Sequence, residues 1–388
     1  MRNSPKANFE RVLGKYFIRM AKLCMQKAVW LTNIDSEVMN SRKNLAEGLR
    51  RLADLGFNTI YPVVWQRGYT LYPSEVTKQF AGAAILPNSP FVGRDVLAEI
   101  LELARPLNIR TIPWFEYGLM VPLRSSIALK HKDLLTLDIN ETTQRILGAN
   151  GELDPNVWLN PCHFRVRKFM VDLVTEVVRK YPTIAGIQLD DRFSFPQEMG
   201  YDRFTQQLFQ QHNFGDIAPI EHDSEVWVNW GSERLTELLR QIVTSVKSVR
   251  RNCIISMSPN PLGFSRTRYL ADWKTWQELG LIDELVLQVY RDRLDSFNLE
   301  LIKPEVQAAR AKIPTSIGIL AGLRTRPIPS AVIKEQVASI YAQQFSGLSC
   351  FFYETLFHEQ IAPSRVSRTK SQLVDIFTVD PLPTIPVT

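Results

Sequence analysis

Gly186-Ile187-Gln188-Leu189-Asp190-Asp191-Arg192 is a short apolar strand that ends in two adjacent carboxylates. Side chains alternate between the two faces of a strand, so Ile187 and Leu189 share one face while Gln188 and Asp190 share the other. An apolar outward face calls for covering helices. A polar inward face ending in an acid is how a parallel barrel presents reactive groups at the C-terminal ends of its strands. Asp191 falls where strand gives way to loop, within reach of the same pocket. An isolated Asp-Asp pair reads equally well as a helix cap or turn residue beside an ion-paired one, so the flanking segments have to decide.

Those segments alternate in type with unusual regularity. Upstream, Ala28 to Thr32, Thr59 to Trp65 and Arg110 to Glu116 read as strands. Helical patterns at Ser41 to Leu55, Arg94 to Leu107 and His163 to Tyr181 separate them; the first has Ser41 as N-cap and Gly56 as its stop. Apolar Phe164, Phe169, Leu173 and Val177 follow helical spacing along the third. Downstream, Cys253 to Ser258, Glu284 to Tyr290, Thr315 to Leu320 and Leu348 to Tyr353 complete eight strands. Helices are predicted at Glu233 to Val249, Tyr269 to Leu279, Glu305 to Lys312, Ala331 to Phe345 and near Gln372. Every connection is long enough for a right-handed crossover, which favours a closed (β/α)8 TIM barrel over a doubly wound open sheet. The open sheet loses further ground because no Gly-rich nucleotide fingerprint follows the first strand.

Long loops extend the C-terminal face of the strands at Gln66 to Gly93, Tyr117 to Asn160 and Arg192 to Ser232. They carry Tyr69, Tyr72, Phe80, Trp158, Phe193, Phe195, Tyr201, Trp227 and Trp230, and long loops in this place usually serve function. The reading divides the chain into an extension over 1–27, a barrel over 28–376 and a Pro-rich tail over 377–388.

Composition narrows the function classes. The 388 residues are 45% hydrophobic and 22% charged, an ordinary globular balance with enough apolar material for a large core. The net charge of +6 is spread along the chain with no dense Lys/Arg run, so a nucleic-acid partner is not expected. Cys24, Cys162, Cys253 and Cys350 are far apart and lack metal-ligand spacing, which predicts reduced thiols. Without an HExxH motif a zinc hydrolase has no support, and no cofactor is implied. The first 27 residues lack a continuous apolar core of secretory length and no segment has the length of a membrane span, so a cytoplasmic location is the default expectation.

Applying the period of two to every strand gathers polar and aromatic side chains at the barrel mouth. The third strand offers Trp114 and Glu116, the fifth Ser256 and Ser258 leading to Asn260, the sixth Gln288 and Tyr290, and the eighth Phe352 followed by Glu354. The lower layers of the barrel should be aliphatic. Four acids, Glu116, Asp190, Asp191 and Glu354, thus surround one opening, with Trp65, Trp114 and Tyr290 as aromatic walls and Arg67, Gln188, Asn260 and Gln288 as polar contacts. Aromatic faces stack on sugar C–H surfaces and carboxylates accept from hydroxyls. Cleaving a glycosidic bond requires one carboxylic acid to protonate the leaving oxygen and one carboxylate to attack or activate water. Each acid also has a structural reading: Glu116 paired with Arg67, Glu354 capping the following turn, Asp191 as a turn residue. His163 is expected to start the long helix.

Several segments resemble, as a set, the glycosyl-hydrolase-like family 10. They are Val29-Trp30-Leu31-Thr32, Asn58 to Trp65, Pro113-Trp114-Phe115-Glu116-Tyr117-Gly118, Trp158-Leu159-Asn160-Pro161, Asp190-Asp191, Ser258-Pro259-Asn260-Pro261, Leu287-Gln288-Val289-Tyr290-Arg291 and Phe351-Phe352-Tyr353-Glu354. The resemblance runs from about Ala28 to Glu359. It implies a TIM-barrel glycosidase-like domain, with an oligosaccharide or polysaccharide as partner; some members are linked to cleavage of peptidoglycan strands stripped of peptide. The fourth strand is more distantly similar to acetamido-sugar hydrolases in which adjacent acids divide the work. That likeness implies Asp191 as general acid and Asp190 as its partner, with Glu116 and Glu354 binding hydroxyls or replacing one of the pair. The alternatives are a barrel that binds glycan without cleaving it and a hydrolase of non-sugar substrates.

Overall fold

The computed structural model describes residues 25–148 and 150–378. Eight parallel strands form its centre: β1 (Gln26–Leu31), β2 (Thr59–Pro62), β3 in two pieces (Arg110–Thr111 and Trp114–Phe115), β4 (Gly186–Asp190), β5 (Ile254–Ser258), β6 (Glu284–Gln288), β7 (Thr315–Leu320) and β8 (Gly347–Phe351). Each strand bonds to the next, and β1 bonds to both β2 and β8. The lower piece of β3 pairs with β2 and the upper piece with β4, so the ring closes as a TIM barrel. Pro113 separates the pieces because it has no N–H to give, yet its carbonyl still accepts from Gln188 N–H at 2.8 Å.

Local chemistry sets the flanking helices. Ser41 caps the helix Arg42–Asp54, its Oγ accepting from Asn44 N–H at 3.0 Å, and Gly56 leaves that helix at a φ of +75°. His163 caps Phe164–Lys180 as its position suggests, with Nδ1 accepting from Arg165 N–H. Phe164 departs from the expectation: it is 66% exposed, and Val166 is the residue of that first turn that packs into the core. The span Tyr269 to Leu279 is not one helix but two, Leu262–Tyr269 and Trp273–Glu278. Leu270, at φ +52°, ends the first and Asp272 caps the second. A further helix, Leu294–Leu301, precedes Pro304–Arg310.

The β4 connection, expected as loop up to Ser232, contains the helix Arg203–His212, and the helix that follows it begins at Glu225, eight residues earlier than its periodicity suggests, and runs to Val249. Trp227 and Trp230 therefore belong to a helix rather than a loop. With Phe195, Met199, Phe209 and Leu270 they form a second apolar cluster that gives the long β4 connection its own core.

The barrel interior corrects a second expectation, since its lower layers are not aliphatic. Buried Glu284 accepts from Tyr61 Oη and Ser256 Oγ, both at 2.8 Å, and pairs with Arg110 Nη2 at 3.2 Å. Gln26 bonds to Tyr61 and Arg110, and Gln188 links Ser256 to Trp30 Nε1. Buried polar groups persist only when hydrogen-bonded, and this chain of contacts supplies the partners.

On β8 the facing residues are Gly347, Ser349 and Phe351, one place out of step with the expected Phe352. Phe351 sits 6.0 Å from the Trp30 ring and 6.3 Å from Trp114. A one-residue error in a strand exchanges its two faces. The barrel begins at Gln26 and its last helix, Lys370–Phe377, places Phe377 against Phe57 at 5.2 Å, so both ends of the barrel lie slightly outside 28–376. Most of the extension, including Cys24, and most of the tail lie outside the described residues. Cys162, Cys253 and Cys350 are free and buried. Among the described residues no helix is long and apolar enough to cross a membrane.

Candidate functional site

The upper ends of β3, β4, β5 and β6 converge on the Asp190-Asp191-Arg192 turn. Asp190 closes β4 facing inward and is 2% exposed. Trp114 Nε1–H, from β3, donates to its Oδ2 at 2.8 Å, and Arg192 N–H donates to its Oδ1 at 3.0 Å. Burial pushes the pKa of Asp190 well up and the Asp191 charge adds to the rise, against the opposing influence of Arg192. The neutral form is therefore favoured at Asp190.

Asp191 occupies the opposite kind of setting. Its side chain is 27% exposed at the mouth. Gln288 Nε2–H, from β6, donates to Oδ1 and Asn260 Nδ2–H, from the β5 loop, donates to Oδ2, each at 3.2 Å. Gln288 is itself oriented by a 2.8 Å bond to the Ser258 carbonyl, and Trp273 Nε1–H holds the Asn260 carbonyl at 3.1 Å. Two neighbouring strands thus aim amide donors at one carboxyl group.

Arg192 stands between the acids, with Nη1 3.7 Å from Asp190 Oδ2 and 3.9 Å from Asp191 Oδ1. Burial works against its charge, but Asp191, Asp190 and Glu116 outweigh that and raise its pKa. Its guanidinium lies 5.6 Å from the ring centre of Tyr117. Sequence reasoning quoted Arg192 beside the acids without giving it a part; its position next to two carboxylates was the available signal.

Glu116 comes from the loop end of β3 and is 6% exposed. Burial raises its pKa to about 7; Arg192 and Arg67 oppose the rise and Asp191 reinforces it. Its Oε2 has no hydrogen-bond partner among the described residues. Arg67 occupies an exposed hairpin turn at φ +53° and affects Glu116 through its charge.

The remaining predicted site residues separate into two groups. Tyr290 lies partly exposed at the mouth, 5.8 Å from Phe351, and these two rings form the accessible aromatic wall. Trp114 is buried and serves Asp190. Trp65 is wholly buried, its Nε1–H on the Gly118 carbonyl at 2.9 Å and its ring against Phe169 at 5.6 Å. Gln188 lies one layer below the mouth with both amide ends engaged. Glu354 turns aside to the β1 loop, accepting from Glu37 N–H at 3.0 Å and Ser36 Oγ at 3.3 Å. His358 Nε2 is 3.7 Å from its Oε2, but burial pushes the His358 pKa down to about 4, so this contact is not an ion pair near neutrality. Among the described residues no cluster of three or more His, Cys, Asp and Glu side chains is arranged to hold a metal ion.

Three acids, one guanidinium, two amide donors and two ring faces around one opening have the composition of a sugar-cleaving site. Over 299 aligned residues the chain is 24% identical to glycosyl hydrolase DigH of Escherichia coli strain K12, covering 68% of this chain and 61% of that protein. The chain thus spans about three fifths of the length of that curated relative. Among solved structures, the glycoside hydrolase domain of PgaB (BpsB) from Bordetella bronchiseptica superposes with a TM-score of 0.62 at 13% identity, covering 84% of this chain and 94% of that one. The catalytic domain of β-amylase from Paenibacillus polymyxa gives 0.61 at 11% identity, covering 92% and 98%. At such identities the structural likeness is one of fold. The model of a family described as Glycosyl hydrolase-like 10 matches residues 25–340, most of the barrel, and the chain belongs to that family.

Proposed function

We propose that this protein is a glycoside hydrolase that cleaves O-glycosidic bonds of a polysaccharide, with Asp191 as the working carboxylate and Glu116 as the proton donor. The observation that carries the reading is the contrast between these two acids. Asp191 is reached from solvent and fixed by two amide donors, whereas Glu116 is enclosed, lacks a partner at Oε2 and is pushed up to about 7. An enclosed carboxyl that holds its proton more tightly than usual suits a proton donor, and an open carboxyl fixed by two donors suits its partner.

In the reaction, Glu116 gives its proton to the glycosidic oxygen. The C–O bond breaks and its electron pair passes to that oxygen. Asp191 meets the electron-poor sugar carbon, either by bonding to it or by taking a proton from the water that does. Asp190 already accepts at both oxygens, from Trp114 Nε1–H and Arg192 N–H, and is assigned no contact with the sugar. Burial works against a charge on Asp190, so it competes less with Asp191 for the Arg192 guanidinium.

Amino-sugar glycans such as peptidoglycan strands are the substrate class suggested by the family resemblance, and the ring faces of Tyr290 and Phe351 suit pyranose C–H surfaces. Incubation with a panel of neutral and amino-sugar polysaccharides, read as new reducing ends, tests the reading. Release by the wild type that is lost in Asp191→Asn supports it; tight glycan binding with no release by the wild type rejects it in favour of a binding protein.

A further inference from the structure

Beside Glu116 lies a side chain with no evident purpose. Gln66 ends the first arm of the hairpin Trp65–Gln66/Tyr69–Thr70 that follows β2. It is wholly buried, yet neither Nε2 nor Oε1 has a hydrogen-bond partner among the described residues. Leaving a buried amide unpaired is unfavourable, and such a residue needs an explanation. Backbone bonds place it next to β3: Val64 N–H donates to the Trp114 carbonyl at 2.8 Å and Tyr117 N–H to the Trp65 carbonyl at 3.3 Å. The Gln66 amide acts on the Glu116 carboxyl as a hydrogen-bond donor that favours its charged form, yet no bond of ordinary hydrogen-bond geometry joins them at rest, and Glu116 Oε2 is itself without a partner.

We propose that Gln66 is a positioning residue for the reaction: its idle Nε2–H engages Glu116 Oε2 as that carboxyl gives up its proton. The idea rests on Glu116 being the donor, as proposed above. As the O–H bond of Glu116 breaks and the proton joins the glycosidic oxygen, negative charge appears on a buried carboxylate. A donor at its side that makes no bond beforehand stabilises the transition state more than the ground state, which is what lowers a barrier. Two atoms left unpaired at rest satisfy one another at the moment of transfer.

The test compares wild type, Gln66→Leu and Glu116→Gln on whichever glycan of the panel the wild type cleaves, together with the Glu116 carboxyl titration followed by carbon NMR. In Gln66→Leu, kcat should fall about 100-fold, the typical loss for one preorganised donor, with KM within about threefold of wild type. The alkaline limb of the pH profile and the Glu116 titration should both move to higher pH. Adding Gln66→Leu to Glu116→Gln should cost nothing further, because the two act as one unit. A purely structural Gln66 would change thermal stability while leaving the limb and the titration in place, and that result overturns the proposal, as does additive loss in the double variant. If Gln66→Leu fails to fold, Gln66→Met carries the same comparison. Absence of turnover in the wild type would sink the hydrolase reading alone; the titration then decides whether Gln66 is coupled to Glu116, an unmoved titration overturning it.

Discussion

Trp114 and Asp190 join adjacent strands at the mouth through one hydrogen bond, indole Nε1–H to Oδ2 at 2.8 Å, with both side chains buried. The indole holds the enclosed carboxyl in one orientation and spares it an unpaired oxygen. Replacing Trp114 by Phe keeps a ring and removes the donor. Stability should drop by about 1–3 kcal/mol, and kcat should fall about tenfold with KM little changed. Denaturant unfolding and steady-state kinetics on the same preparation check both.

Asp191 and Asp190 should respond unequally to amidation. Asp191→Asn removes the accessible carboxylate and should lower kcat by about 1,000-fold or more, with an unchanged circular dichroism spectrum. Asp190→Asn replaces a carboxyl already inclined to be neutral and should be the milder change. An Asp190→Asn variant less active than Asp191→Asn would refute the division of roles.

Glu116 governs a pH dependence whose direction follows from its raised pKa of about 7. A proton donor works while protonated, so kcat/KM should decline as pH rises through about 7, and Glu116→Gln should abolish that limb along with most activity. Stability has a matching trend. The folded state favours the neutral carboxyl, whereas the unfolded chain ionises it near an ordinary value of about 4.3. The Glu116 contribution is therefore fully present below that value and is lost progressively up to about 7. At pH 8 the loss amounts to roughly 3–4 kcal/mol. Thermal melts at pH 5 and pH 8 should show a larger decrease for wild type than for Glu116→Gln.

Arg110 and Glu284 lie at the other end of the barrel, where Arg110 is half-open to solvent and Glu284 is buried. Arg110→Met strands the Glu284 charge beneath Tyr61 and Ser256. Unfolding should become easier by about 2–3 kcal/mol, below the range for a fully enclosed pair, with KM unaffected. A stability unchanged by this substitution would mean that Tyr61 and Ser256 alone suffice to hold the carboxylate.

The barrel was legible from sequence because each strand carried its own alternation and each helix its own stripe; eight such units leave few ways to arrange themselves. Asp190, Asn260 and Gln288 followed from the same period of two and Asp191 from its place where the strand gives way to loop; the structure brings all four together. Phe351 was misplaced because Phe351 and Phe352 are adjacent and alike at the end of β8; Ser349, in step with Phe351 and opposite Leu348 and Cys350, was the signal that could have placed it. Glu354 illustrates a different limit: its place beyond a strand end was readable, but its turn toward Ser36 and Glu37 depends on a loop 317 residues away in sequence. Trp227 and Trp230 looked like loop aromatics since the cluster that buries them draws on three separate segments. Burial also decides the contrast between Asp190 and Asp191, two identical residues in consecutive positions.

Gly118 sits where the loop after β3 meets the loop after β4. Its φ is +46°, and a Cβ there would collide with the backbone carbonyl of Arg192, which accepts instead from Leu119 N–H at 3.0 Å. The carbonyl of Gly118 meanwhile receives the Trp65 indole N–H. This one residue without a side chain acts as a gauge block between the loop that follows Glu116 and the one that follows Asp191. The spacing between Glu116 and the Asp190-Asp191 turn is thereby set by backbone against backbone, independently of the length and composition of the long segment beyond Gly118.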